Sequence, residues 1–503
     1  MSRSTLCIAL TCAALGCNNK PTQLPFERAD AGGALGSSGA GGETTAGGAA
    51  SSTSGGSAPS AGASGSVGSG GSGASGVAGA SGASAGGTGG TLGGGAGGDS
   101  GSAGTSASSG ASGSAGAAGS GGAPVVSGPP YTFPQNYVSK WCTRPTGADP
   151  AIAKAAYTEF FTQLVTATGA GGNLRVTRPN TELDTTVSEG IGYGMILAVV
   201  MDDQPTFDAL WKYEQAHLDV NGLMNWKIDP SGTVSTDGVG AATDGDEDMA
   251  WALLQADHKW HGQGSLSASY LSFAQAQIGR IWNYEVDHSH GGLLIAGDSW
   301  GMVITHNPSY FAPNQYRRFA AVDTSHDWNS VIDRNYSQLA SELQASLGNL
   351  NNGLVPAWAD PSGNPMVPFM GAPTYYQYDS ARVPFRIAQD YCDYGEARAK
   401  TYLDKVSAFF VSQGASAIVD GYNLDGSANA AHALPIQSAL FVGAAGVAAM
   451  SDPNKATFVN QVWQILATKD HTQLLPDSYY FNLSWLTFST LMLSGNLYDF
   501  SLR

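Results

Sequence analysis

From residue 150 onward, apolar positions recur three and four residues apart over most of the chain, with polar residues between them. That period puts i, i+3, i+4 and i+7 on one face and predicts amphipathic helices. The segments are 150–168, 191–201, 205–218, 247–261, 267–283, 328–347, 383–391, 398–413, 435–450, 455–467 and 481–494. Loops rich in Gly, Asn, Asp and Pro separate them, and few runs show the strict alternation of a strand. Eleven helices of similar length in one compact unit predict an all-α domain of paired helices arranged in a ring.

Nothing of that pattern exists before residue 129. Residues 1–17 carry a basic Arg3, a short apolar core over 6–15 and then Gly16-Cys17, the layout of an export signal. The core is too short to span a bilayer. The segment resembles a bacterial lipoprotein signal, which would make Cys17 the lipidation site, although Ala14 stands where that motif usually carries leucine; ordinary secretion is the alternative. Residues 18–128 form a linker, almost wholly Gly, Ala and Ser from residue 31 on. Such a tract buries too little apolar surface to offset its conformational entropy, so disorder is expected. As a flexible coil of roughly 100 residues it reaches about 50 to 60 Å. The folded domain is expected over 129–503, beginning at Pro129-Pro130.

Charge narrows the partners. The formal net charge is -17, which repels nucleic acid and anionic membrane surfaces and leaves a neutral or cationic substrate. Contact with a membrane is expected only through the N-terminal lipid, and a monomer is expected. Of five cysteines, Cys142 and Cys392 fall in the folded part, where sequence allows either a disulfide or two buried thiols.

Candidate chemistry sits in three acidic stretches. Val187-Ser-Glu-Gly-Ile-Gly-Tyr-Gly194 presents Glu189 among glycines that permit close approach. Its glycines imitate a dinucleotide fingerprint, but Met195 occupies the third glycine's place and no strand leads in. Ala242-Thr-Asp-Gly-Asp-Glu-Asp248 leads into a helix; helix capping accounts for Asp246, Glu247 and Asp248, while Asp244, read as lying ahead of the helix, is the functional candidate. Tyr375-Tyr-Gln-Tyr-Asp-Ser-Ala-Arg382 places Asp379 three residues before an arginine and beside more aromatics than a helix start needs. Trp226, Trp300, Tyr310 and Trp358 are further aromatic platforms on loops. His288, His290 and His306 have no companion metal signature.

Taken together, Ser188-Glu-Gly-Ile-Gly-Tyr-Gly194, Gly222-Leu-Met-Asn-Trp-Lys-Ile-Asp229, Ala241-Ala-Thr-Asp-Gly-Asp-Glu-Asp248, Asn307-Pro-Ser-Tyr-Phe-Ala-Pro313 and Tyr378-Asp-Ser-Ala-Arg382 closely resemble glycoside hydrolase family 8, from about residue 130 to the C-terminus. The resemblance implies an (α/α)6 barrel with a substrate groove across one end and no metal or organic cofactor. It matches Glu189 to the general acid, Asp379 to the general base, and Asp244 to an aspartate that holds the sugar at the cleavage point. It matches Trp226, Trp300, Tyr310 and Tyr378 to aromatic subsites and Arg382 to an arginine near the base. The implied reaction is inverting, endo-acting hydrolysis of a β-1,4-linked glucan such as cellulose or mixed-linkage glucan. The alternatives are xylanase, chitosanase or a non-catalytic glycan-binding protein.

Inversion requires one protonated and one ionised carboxyl. Burial near Tyr193 and the negative Asp244 are expected to keep Glu189 protonated against the pull of a helix dipole. Arg382 is expected to keep Asp379 ionised.

Overall fold

The computed structural model describes residues 131–502 apart from 180–182, 300–304, 370–371, 430–436, 469–473 and 475–478. The export signal with Cys17, the linker over 18–128, the boundary at 129 and Trp300 lie outside the described residues.

Twelve helices of ten or more residues are found among the described residues: α1 (Pro150–Leu164), α2 (Ser188–Val200), α3 (Gln204–Gln215), α4 (Thr243–Trp260), α5 (Tyr270–Tyr284), α6 (Pro313–Val322), α7 (Trp328–Ser341), α8 (Val383–Tyr394), α9 (Ala397–Gln413), α10 (Ala439–Ala449), α11 (Ala456–Thr468) and α12 (Tyr479–Leu493). The even-numbered helices pack on one another in chain order, and α12 returns to α2, which closes an inner ring. The odd-numbered helices lie outside it: α1 on α12, α3 on α2, α5 on α4, α7 on α6, α9 on α8 and α10, and α11 on α10. This is the (α/α)6 barrel.

Composition decides which helix goes inside. Every residue of α2 and of α10 is buried, as is all of α12 except Tyr479; helices apolar on every side have no stable place at a surface. Outer helices bury one stripe, as α7 does with Trp328, Val331, Ile332, Asn335, Tyr336 and Leu339. The ends differ too. Outer helices α1, α3, α5, α7 and α9 are each N-capped by a side chain, from Asp149, Asp203, Ser269, Asp327 and Glu396. Inner helices α2, α4, α6, α8 and α10 have no side-chain N-cap bond. Their positive dipole ends thus meet no capping side chain at the N-cap position.

Two glycines set the close approach of α2 and α4 in the inner ring. A Cβ at Gly192 on α2 would lie 2.9 Å from the Asp248 Cβ and 3.1 Å from the Gly245 carbonyl oxygen. A Cβ at Gly245 on α4 would lie 2.6 Å from Ser188 Oγ and 2.8 Å from Glu189 N. Only glycine lets these helices meet there, side by side at their first turns.

Several boundaries differ from the sequence pattern. α2 starts at Ser188 and α4 at Thr243, so Asp244 lies inside a first turn and not ahead of it. The helix α6 escapes the pattern because its buried face includes Asn314 and Gln315. Among the described residues, three two-residue antiparallel ladders brace the loops: Val165–Thr166 with Arg175–Val176, Thr186–Val187 with Lys227–Ile228, and Val286–Asp287 with Leu293–Leu294.

Of the two readings open for the cysteines, the disulfide holds: Cys142 and Cys392 are bonded, with Cα atoms 5.2 Å apart, and tie the segment before α1 to inner helix α8 across 250 residues of sequence. Because so long a loop is closed, replacing both cysteines by serine is expected to lower unfolding free energy by about 2 to 5 kcal/mol. Denaturant titration of the oxidised protein beside the double variant checks this, and hydrolysis well below the melting point should be unchanged.

Candidate active site

The uncapped ends of the inner helices bring the acids together. Glu189 is the second residue of α2 and Asp244 the second of α4. Asp379 lies in a single helical turn, Tyr378–Ala381, that runs directly into α8 through Arg382. Tyr310 ends a 3-10 turn, Pro308–Tyr310, just before α6, and Tyr480 is the second residue of α12.

Arg382 joins these pieces. Its Nη1 donates to Glu189 Oε2 at 2.9 Å and to Asp244 Oδ2 at 2.8 Å, and its Nη2 donates to Asp379 Oδ1 at 3.0 Å. The arginine has no solvent exposure, and the three acids have 1 to 2%. Its guanidinium carbon lies 5.4 Å from the Tyr310 ring centroid and 5.9 Å from that of Phe481, so π-faces help to hold the cation in a dry setting. Glu189 and Asp379 thereby occupy opposite amino groups of one planar group.

One cation cannot compensate three buried anions, and desolvation penalises every charge left over. Burial, with a smaller push from Asp244, raises the Glu189 pKa to about 8 against the pull of Arg382 and the hydroxyls of Tyr480 and Tyr193. The Tyr480 hydroxyl donates to Glu189 Oε1 at 2.7 Å. Glu189 therefore holds a proton at neutral pH, as burial and like charge dictate. Burial raises the Asp244 pKa as well, opposed by Arg382, and its Oδ1 accepts from the Gly245 N–H at 2.9 Å.

Asp379 departs from the simple expectation. Burial raises its pKa too, and Arg382, Gln377 and Asn307 only oppose that rise. Gln377 Nε2 donates to Asp379 Oδ2 at 2.8 Å. Burial outweighs the pull of the arginine, so this carboxyl does not fall below its ordinary range.

The aromatic candidates divide. Tyr310 stands edge-on to Trp358 at 6.4 Å, and Trp358 edge-on to the half-buried Phe369 at 5.9 Å. Tyr378 is buried against Phe441 and Phe481 at 5.5 and 6.0 Å, and its hydroxyl donates to Asp420 at 2.8 Å. Trp226 is buried beside the start of α2, where its carbonyl accepts from the Ser188 N–H at 3.0 Å. Tyr375 is half-buried, whereas Tyr376 packs among Phe410, Tyr422 and Phe441 as core.

Capping does not account for the remaining acids of α4. Ala242 precedes that helix with no side-chain cap bond, and the acids make specific buried contacts instead. Gln277 donates to Asp246 at 2.7 Å, Tyr316 to Glu247, and Arg386 clasps Asp248 through both oxygens at 2.5 and 2.7 Å. His290 pairs with Asp287 and His306 with Glu342, far apart in sequence and in separate contacts. Tyr480, Gln377 and Asn307 at the acids were not singled out from sequence. The tyrosine offered no signal beyond its place at the head of an apolar helix.

Comparison with known proteins agrees with this geometry. The profile of glycosyl hydrolases family 8 matches residues 141–492. Endoglucanase A of Acetivibrio thermocellus is 37% identical over 349 residues, covering 69% of this chain and 69% of that protein. Endoglucanase C of Ruminiclostridium cellulolyticum is 37% identical over 63% of this chain and 66% of its own length; the chain thus spans about two thirds of the length of these relatives. An apo β-1,3-1,4-glucanase from Paenibacillus sp. X4 superposes with a TM-score of 0.67 at 29% identity, covering 74% of this chain and all of that one. Barrel, clustered acids and matched residues lead to one statement: the chain belongs to glycosyl hydrolases family 8.

Proposed function

We propose that the protein is an inverting, endo-acting hydrolase of β-1,4-linked glucan, with Glu189 as general acid and Asp379 as general base. The observation that carries this reading is the pair of carboxyls held on opposite amino groups of Arg382, one of them with its pKa raised to about 8. An inverting hydrolase needs a protonated carboxyl at the leaving oxygen and a carboxylate on the other face of the sugar to activate water. Glu189 keeps the proton that the leaving oxygen takes. Asp379 accepts the proton of the attacking water, held in orientation by Gln377 and Arg382. Asp244 sits on the same Nη1 as Glu189, where it can hold a sugar hydroxyl and keep the acid's pKa high.

Relatives named endoglucanases, together with a β-glucanase of Niallia circulans that is 32% identical over 78% of its length, favour glucan over xylan or chitosan. Trp226, Trp300, Tyr310 and Tyr378 are the proposed sugar-binding aromatics, with Arg382 positioning the acids. The same reading has the chain exported, with Cys17 as its lipid attachment point. The Cys142–Cys392 disulfide supports export, since such bonds persist in oxidising compartments.

Glu189→Gln and Asp379→Asn are each expected to lower kcat on a soluble β-glucan by about 10²- to 10⁴-fold while circular dichroism stays unchanged. Near-normal turnover in either variant sinks that assignment. Proton NMR of the first product should show the α-anomer, and an initial β-anomer means retention.

The pH profile has a fixed sign. kcat/KM should fall as pH rises through about 8, where Glu189 loses its proton, and fall on the acid side as Asp379 gains one above the usual aspartate range. Tyr480 donates to the ionised form of Glu189 and so lowers its pKa. Tyr480→Phe should therefore move the alkaline limb to higher pH and leave the acid limb in place. A limb that moves down, or both limbs moving together, contradicts this.

A further inference from the structure

The turn that carries Asp379 is anchored at its end, where it runs through Arg382 into α8. Its beginning is a different matter. Gln377 precedes the turn without a side-chain cap bond, and a single turn of four residues holds its own backbone only weakly. Gln377 and Arg382 do bond the Asp379 carboxyl, but both lie in the same short stretch of chain. Contacts from elsewhere in the fold must set where the turn begins.

Such a contact comes from the connection between α9 and α10. Tyr376 and Tyr422 exchange backbone hydrogen bonds at 3.0 and 2.9 Å in an antiparallel bridge. That register brings Tyr378 opposite Asp420, two residues on along one segment and two back along the other. There the Tyr378 hydroxyl donates to Asp420 Oδ2 at 2.8 Å, and Asp420 Oδ1 accepts the Ser438 N–H at 2.9 Å, at the head of α10. Asp420 is 2% exposed, and no catalytic step uses it. The Tyr378 ring stands edge-on to Phe441 of α10 and Phe481 of α12, so ring and hydroxyl are held from two inner helices and one acid.

We propose that Asp420 is a positioning residue for the general base: it holds Tyr378 and thereby the turn that presents Asp379 to the attacking water, a role that rests on Asp379 being that base. Adjacent residues in one helical turn do not move independently. A swing of Tyr378 shifts the Asp379 backbone and draws its carboxyl away from Arg382 Nη2 and Gln377 Nε2. Misplacement by about 1 Å costs on the order of 10²-fold in rate. It also removes donors that favour the ionised carboxyl. The other groups that bear on Asp379 are Asn307, Tyr310 and the two acids on the same guanidinium, Glu189 and Asp244, and none of them bonds Asp420 in the contacts described.

The test is the pH profile of hydrolysis of a soluble β-glucan by Asp420→Ala, Tyr378→Phe and the double variant, beside Asp379→Asn. Asp420→Ala is expected to lower kcat by about 10- to 100-fold. Because lost donors raise the carboxyl's pKa, the acid limb of kcat/KM should move to higher pH while the alkaline limb, set by Glu189, stays in place. A loss of folded protein lowers the profile at every pH and moves neither limb. Tyr378→Phe, which removes only the hydroxyl, should shift the acid limb the same way, and the double variant should be no worse than Asp420→Ala, since both act through one bond. An unmoved acid limb, both limbs moving together, or losses that add in the double variant each overturn the proposal. Should Asp420→Ala misfold, the acid limb of Tyr378→Phe decides. An inactive Asp379→Asn beside an Asp420→Ala of unchanged profile removes the positioning role alone; near-normal turnover in Asp379→Asn removes the base assignment and this role with it.

Discussion

The whole site depends on one buried positive charge serving three buried acids. Arg382 reaches Glu189, Asp244 and Asp379 from three different inner helix starts, so it fixes the relative placement of groups that are 55 to 190 positions apart in sequence. It also fixes their protonation. A guanidinium stays charged even when buried, and a single one cannot support three carboxylates in a low dielectric. One acid must therefore keep its proton, and Glu189, the acid pushed up to about 8, does so. The asymmetry that acid–base chemistry requires arises from a shortage of positive charge. Were a second cation bonded to Glu189, that acid would ionise and lose the proton it has to donate.

The barrel makes this arrangement affordable to the fold by dividing tasks between its rings. Outer helices carry their own caps and salt-bridged surfaces, as α9 does with Glu396 and the Lys400–Asp404 pair. Inner helices α2 and α10 are held by burial on all sides and have no need of side-chain caps for stability. The N-terminal ends of α2 and α4, with positive dipoles and no capping bond from the N-cap side chain, carry acids in their first turns at Glu189 and Asp244. An acid in a first turn is ordinarily stabilised in its ionised form. At Glu189 complete burial outweighs that preference, which is why its pKa rises although the residue sits at a helix start.

Helix existence was legible in sequence because eleven segments keep the apolar period, and five motifs in order carried the family resemblance. What was illegible follows from chemistry at buried positions. The helix α6 was missed because Asn314 and Gln315 face inward. Asp246, Glu247 and Asp248 looked like capping residues because a sequence shows their place at a helix start and not the Gln277, Tyr316 and Arg386 that meet them. The three acids lie together, and Arg382 bonds Asp379 as expected; what sequence does not show is that the same arginine also serves Glu189 and Asp244, or that burial raises the Asp379 pKa against it. Tyr480 was invisible because its contact with Glu189 spans 291 positions.

The acids behind the site bear on how cleanly it titrates. Glu214 on α3, Asp246 and Glu247 on α4 and Glu285 just past α5 are all fully buried, and burial raises the pKa of each. Held neutral, they add no fixed negative charge to the field at Glu189; ionised, they would act on it through a weakly screening interior. Asp248 is the contrasting case, with both oxygens bonded to Arg386, so its charge arrives with a counter-charge. The potential at the catalytic acid is therefore governed by its own cluster of three acids and one arginine. Acid-rich composition and a well-defined proton donor are compatible because burial disfavours charge on Glu214, Asp246, Glu247 and Glu285, and Arg386 pairs with Asp248.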